Sequence, residues 1–203
     1  MSGRWSSIAP VTGIVSIVLI VVAFIVGGEA PDADAPAGEL VSYYESHDTD
    51  VGVASVLLAV GASFFAFFTA VLAGRLRRAE GQGYALPAGA LAGGALLAMG
   101  MLIFAGLGFT LSDVGGDLEP EAVQAVHALS EDLFFPVAGG TVVLSWCVAL
   151  GLLRHGGLPR WLGWVAVVIA VASLTPLGFF AFLALGIWTV LASAVMLVQP
   201  EAG

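Results

Sequence analysis

The side chains best suited to chemistry are few and fall in two short polar segments. His47 lies among Glu45, Asp48 and Asp50, while His127 and Glu131 stand four residues apart, the spacing that puts both on one helix face a turn apart. A histidine and a carboxylate so placed are a ligand pair for a divalent cation. His47, His127 and Glu131 therefore form a candidate metal site, with a metal-dependent activity or metal sensing as its chemistry, provided the two segments meet. The pattern falls short of HExxH, in which two histidines bracket a general base, and the plainer reading is a pair of solvated acidic helices. The same histidines could report pH. Cys147 is the only cysteine, which excludes an intrachain disulfide and a multi-thiolate zinc site.

A second constellation is apolar. Phe64, Phe65, Phe67 and Phe68 crowd one helical stretch, and Trp146 and Trp188 lie deep within two others. Phe64, Phe68, Trp146 and Trp188 are the candidate walls of an apolar ligand cleft, set against the plainer reading of lipid-facing filler. Buried indole N–H groups need acceptors, so both tryptophans are expected to face other helices. No glycine-rich nucleotide loop followed by Lys-Ser/Thr is present.

The elements that must position these residues belong to a membrane. Of 203 residues, 59% are hydrophobic and 10% charged, with a mean hydropathy of +1.02. A soluble domain carries about a quarter charged residues, so soluble enzymes and nucleic-acid-binding modules are excluded. Apolar runs of about 20 residues are needed to cross the bilayer core. The sequence predicts six, at about 11–28, 51–74, 86–111, 133–153, 161–175 and 178–198. The last two come from one stretch of 38 residues, roughly 57 Å as a single helix and too long for the membrane, so a turn is placed at Thr175-Pro176-Leu177-Gly178. A secretory-signal reading of the first run, with Ala33-Asp34-Ala35 as cleavage site, competes with this; its length and the intervening Glu29, Pro31 and Asp32 favour a retained helix.

Basic residues are retained on the cytoplasmic side. With the N-terminus inside, six crossings put Arg4, Arg75, Arg77, Arg78, Arg154 and Arg160 all inside, and the formal charge of −9 divides into +4 inside and −13 outside. The arginine collar has anionic lipid headgroups as natural partners. The outer loops, 29–50 and 112–132, each predict a short amphipathic helix along the headgroups. One has Leu40, Val41 and Tyr44 as its apolar stripe, the other Ala122, Val126, Leu129 and Leu133. Gly89, Gly93 and Gly100 on one helix, and Ser55, Ala59, Ser63, Ala66 and Ala70 on another, are small-residue stripes of the kind that seat helices together. No charged residue or histidine lies at membrane depth, which disfavours proton-coupled transport and bis-histidine haem.

Gly74-Arg75-Leu76-Arg77-Arg78-Ala79-Glu80-Gly81 and Leu158-Pro159-Arg160-Trp161-Leu162-Gly163-Trp164 resemble the inner-loop segments of a family of small six-helix membrane proteins of high-GC bacteria, whose function is unknown. The resemblance implies a bacterial plasma membrane and carries over no catalytic residues. The expectation is thus one all-α polytopic domain over 1–203, with six transmembrane helices, two short extracytoplasmic amphipathic helices and both termini cytoplasmic. Its expected role is a non-enzymatic module, without a resident cofactor, that binds lipid or a small apolar ligand or docks onto a partner membrane protein. A transporter or permease component is the alternative, and the outer-face metal site is the second alternative.

Overall fold

The structure, a computed structural model, describes residues 8–81, 83–132, 134–175 and 177–199; the side chains of 131–134 lie outside the description. Within these limits the chain is all-helical: α1 (Val11–Gly27), α2 (Ala37–Ser46), α3 (Asp48–Glu80), α4 (Ala85–Val114), α5 (Pro120–Asp132), α6 (Phe134–His155), α7 (Arg160–Ala172) and α8 (Gly178–Val198). A 3-10 turn, Gly115–Asp117, extends α4. Four helical runs are long and apolar enough to cross a membrane: Asp48–Glu80, Ala85–Asp117, Pro120–His155 and Gly178–Val198. The apolar α1 and α7 are shorter, at 17 and 13 residues.

α3 runs past the predicted 51–74 at both ends. Asp48 and Asp50 sit in its first turn and Arg77 and Arg78 in its last, each matching the helix dipole. The expected turn after α7 is present, built by Leu174 N–H on Val171 O, Thr175 N–H on Ala172 O and Gly178 N–H on Thr175 O.

α1, α3, α4, α6, α7 and α8 form a closed ring. α3 packs between α1 and α4, α6 between α4 and α7, and α8 completes the circuit between α7 and α1. The core inside includes Phe65, Phe68, Leu72, Leu97, Leu144 and Trp188. The Gly89, Gly93 and Gly100 stripe does seat α4 on α6. A Cβ at Gly93 would strike the Leu144 backbone, and from the facing helix one at Gly140 would lie 2.5 Å from the Leu97 nitrogen. The α3 stripe does so only in part: Ser55 is buried, but Ser63 and Ala70 are exposed, and the buried face also carries Leu58, Gly61, Ala62, Phe65, Thr69 and Leu72.

Some hydroxyls at depth satisfy themselves on their own helix, as Thr141 on Val137 O and Ser173 on Ile169 O do, while Ser145, Thr189 and Ser193 find no partner among the described residues. Other polar groups reach across to a neighbouring helix. Ser16 Oγ donates to Gly61 O (2.8 Å), tying α1 to α3, and Trp188 Nε1 donates to Leu162 O (2.9 Å), tying α8 to α7.

At one end of the ring, the capped end, α2 and α5 fold onto each other. Leu40 and Tyr44 of α2, Val123 of α5 and Leu111 of α4 make a second small core. The predicted stripe of α5 is therefore corrected: Ala122 and Leu129 are exposed, and Val123, His127 and Ser130 are buried. The helix is turned by about one residue from its most apolar face, because His127 finds polar partners inside. Arginines gather at the opposite end. There Arg75 donates from Nε to Gly157 O (3.0 Å) and from Nη2 to Gln199 O (2.7 Å), joining the end of α3 to the α6–α7 turn and the end of α8. Arg77 stacks over the Tyr84 ring at 5.6 Å.

Candidate functional site

α1 ends at Gly28, whose φ of +65° turns the chain into a loop that a β-carbon would strain. That loop, 28–36, is laced to the capping helices by side chains that reach its backbone carbonyls. Tyr43 Oη donates to Gly27 O (3.0 Å), and Gln124 Nε2 donates to Ala33 O (3.3 Å) and Ala35 O (3.0 Å). His127 Nε2 lies 3.0 Å from Pro31 O, and its Nδ1 lies 2.7 Å from Tyr44 Oη. A carbonyl can only accept, so Nε2 carries a proton and donates to Pro31 O, while Nδ1 and the Tyr44 hydroxyl share the second hydrogen bond. The Tyr44 and His127 rings meet edge-on at 5.9 Å.

Beneath this roof lies a cavity of about 530 Å³. Ala23, Phe24 and Gly27 of α1, Ser55 and Leu58 of α3, and Gly108 of α4 form much of its wall, and Tyr43, Tyr44, His127 and Ser130 present the polar edge. Glu29 is its one charged lining residue among the described residues. An apolar vessel with a few convergent polar groups is the usual form of a small-molecule site. A second cavity of about 500 Å³ opens between α1 and α8 and reaches Phe65, Leu97 and Met101. Its lining is hydrocarbon apart from backbone and the Met101 sulfur.

Tyr43, in the capping layer, has a perturbed phenol. Burial, and secondarily the Asp50 carboxylate, push its phenol above the ordinary tyrosine value. Both favour the neutral hydroxyl that donates to Gly27.

The structure brings the two predicted polar segments together, and of the predicted metal ligands it describes the side chains of His47 and His127. His47 is exposed, stacked on Tyr43 at 4.6 Å, with Nδ1 beside Ser46 Oγ and Tyr43 O. Both ring nitrogens of His127 are engaged by Tyr44 and Pro31. The Glu131 side chain lies outside the described residues, and among the described residues no group of three or more His, Cys, Asp or Glu is placed to hold a metal.

The predicted cleft residues lie apart from both large cavities. Phe68 and Trp188 are fully buried packing residues, and Phe64 and Trp146 are half-buried. Trp188 faces the bundle and finds its acceptor as expected. Phe65, not Phe64 or Phe68, reaches a cavity.

Sequence reasoning missed Tyr43, Gln124, Ser130 and the loop carbonyls. One signal was legible: Val123, Gln124, His127 and Ser130 share a side of α5, so a polar stripe ran beside the apolar one. Comparison with known proteins finds no match, whether to a family model, a curated protein or a solved structure.

Proposed function

We propose that this chain is a six-span bacterial plasma-membrane protein, termini cytoplasmic and capped end outside, that binds an apolar or amphipathic small molecule in the capped-end cavity without transforming it. The one-sided arginines support the orientation, because the collar faces cytoplasmic anionic headgroups and the acidic loops face outward. α1 and α7 complete the six spans by virtue of their apolar composition and their places in the ring. The observation that carries the binding role is the cavity of about 530 Å³ under α2 and α5, apolar below and polar along its roof. The lacing of loop 28–36 makes that roof a preformed lid rather than a loose connector, which keeps the ordering cost of binding low. The resemblance to the small six-helix membrane proteins of high-GC bacteria supports the location and leaves the ligand open.

Native mass spectrometry of the protein released gently from its own membrane tests the proposal. A retained apolar mass is expected, and Ser55→Phe, which adds a ring at the cavity wall, is expected to lose it. Wild-type protein that carries no mass and takes up none from a total lipid extract would overturn the binding role.

A further inference from the structure

The two large cavities share a wall residue, and their linings follow one another along three helices. Phe24 borders both. Along α1 the lining passes from Ile17 and Ile20 in the lower cavity to Gly27 in the upper; along α4 it passes from Leu97 and Met101 to Gly108 and Leu111; along α3 it passes from Phe65 to Leu58 and Ser55. From Leu97 to Leu111 the rise is about 21 Å at 1.5 Å per residue. The lower cavity takes hydrocarbon alone. Its rim, Val21 on α1 with Leu183 and Ile187 on α8, is exposed, so it opens sideways to the bilayer rather than to water.

The upper cavity has a hydroxyl at its wall. Ser55 is 7% exposed and borders the cavity with Gly108 of α4 close beside it. A hydroxyl so placed can donate to and accept from a ligand head. The wall tells against an anionic head. Glu29 is the only charged residue there among the described residues, and Arg75, Arg77, Arg78, Arg154 and Arg160 lie at the other end of the bundle. An anionic head would be desolvated without a counter-charge.

We infer that the occupant is a single long-chain lipid with an uncharged, hydrogen-bonding head: the head sits beside Ser55 under the Tyr44–His127 roof, and the chain lies in the α1–α8 groove. This rests on the cavity reading above and adds its ligand class and its lateral route from the membrane. Gly186 provides a clean block in the groove. A Cβ there meets only Ile17, at 3.8 Å, so a larger side chain enters the open space without striking backbone.

The test is native mass spectrometry of the full chain in detergent with three probes sharing one oleoyl chain: monooleoylglycerol, oleoyl-lysophosphatidic acid and oleoyl-trimethylammonium. Monohexanoylglycerol serves as a short-chain control. Monooleoylglycerol is expected to bind one to one, at least tenfold tighter than either charged probe. Gly186→Leu is expected to weaken monooleoylglycerol at least tenfold while leaving monohexanoylglycerol unchanged. Ser55→Ala is expected to weaken both neutral probes several-fold, and Ser55→Thr to restore them, with unfolding temperature confirming that each variant folds. If a charged probe binds as tightly as the neutral one, or Gly186→Leu has no effect while Ser55→Phe abolishes binding, the lipid class and groove are wrong and the cavity reading stands. If no probe binds and wild type retains no mass, the cavity reading falls as well.

Discussion

Neighbouring glycines on α6 offer an internal comparison that isolates the α4–α6 seam. At Gly140 an added Cβ would lie 2.5 Å from the Leu97 nitrogen, 2.7 Å from Gly93 O and 2.8 Å from the Leu97 Cα, whereas at Gly139 it would meet nothing within 4 Å. All three obstacles are α4 backbone, so no rotamer change relieves them. Ordinary contact begins near 3.4 Å, so Gly140→Ala must part the helices by about 0.9 Å at that point. A gap of 0.5–1 Å forfeits a quarter to a half of each contact, itself about 0.1–0.2 kcal/mol. Over about 40 atom pairs, the number one buried leucine makes, the loss is about 1–4 kcal/mol. Both substitutions exchange glycine for alanine inside the same helix, so the propensity gain of about 1 kcal/mol cancels between them. Gly140→Ala is therefore expected to be less stable than Gly139→Ala by about 1–4 kcal/mol. Unfolding in mixed dodecylmaltoside and SDS micelles, followed by tryptophan fluorescence, measures the difference. Agreement between the two variants within about 0.5 kcal/mol would refute the close approach of α4 and α6 and the register that pairs Gly93 with Gly140.

Two further outcomes test the ends of the bundle. Arg75→Lys replaces a planar fork reaching two carbonyls with a single point charge; hydrogen exchange is expected to rise up to tenfold, about 1.4 kcal/mol, in the α6–α7 turn and the last turn of α8, with the capped end unchanged. Equal protection in the variant would show that Arg75 does not clamp these segments. At the capped end, the Tyr43 phenol is raised by burial and then by Asp50, so its stabilisation is whole below the unfolded tyrosine value near about 10 and is lost as pH rises through the folded one. Exchange of loop 28–36 should stay flat from pH 7 to 9, after correction for intrinsic rates, and rise more steeply above about 10 in wild type than in Tyr43→Phe; parallel curves would remove Tyr43 from that role.

The helical character of the chain, its apolar segments and most of their breaks are written in the order of its residues. Run length, the Thr175–Gly178 breaker and the charges at the ends of α3 are local properties, legible without knowing any partner. The glycine stripe of α4 was legible for a related reason, since small residues at helical spacing leave few uses other than close packing. What the polar residues do depends on contacts made between distant parts of the folded chain. The spacing of His127 to Glu131 is a local fact, while its contacts with Tyr44 and the Pro31 carbonyl cross 83 and 96 residues of sequence. The same long-range pairing turned α5 off its most apolar face, and ring closure by α8 against α1 put Phe65, not Phe64 or Phe68, on a cavity wall. Periodicity fixes which residues share a face, but the direction that face points depends on neighbours brought in from elsewhere in the chain. The cavities are the spaces between such neighbours, so no local stretch of sequence could announce them.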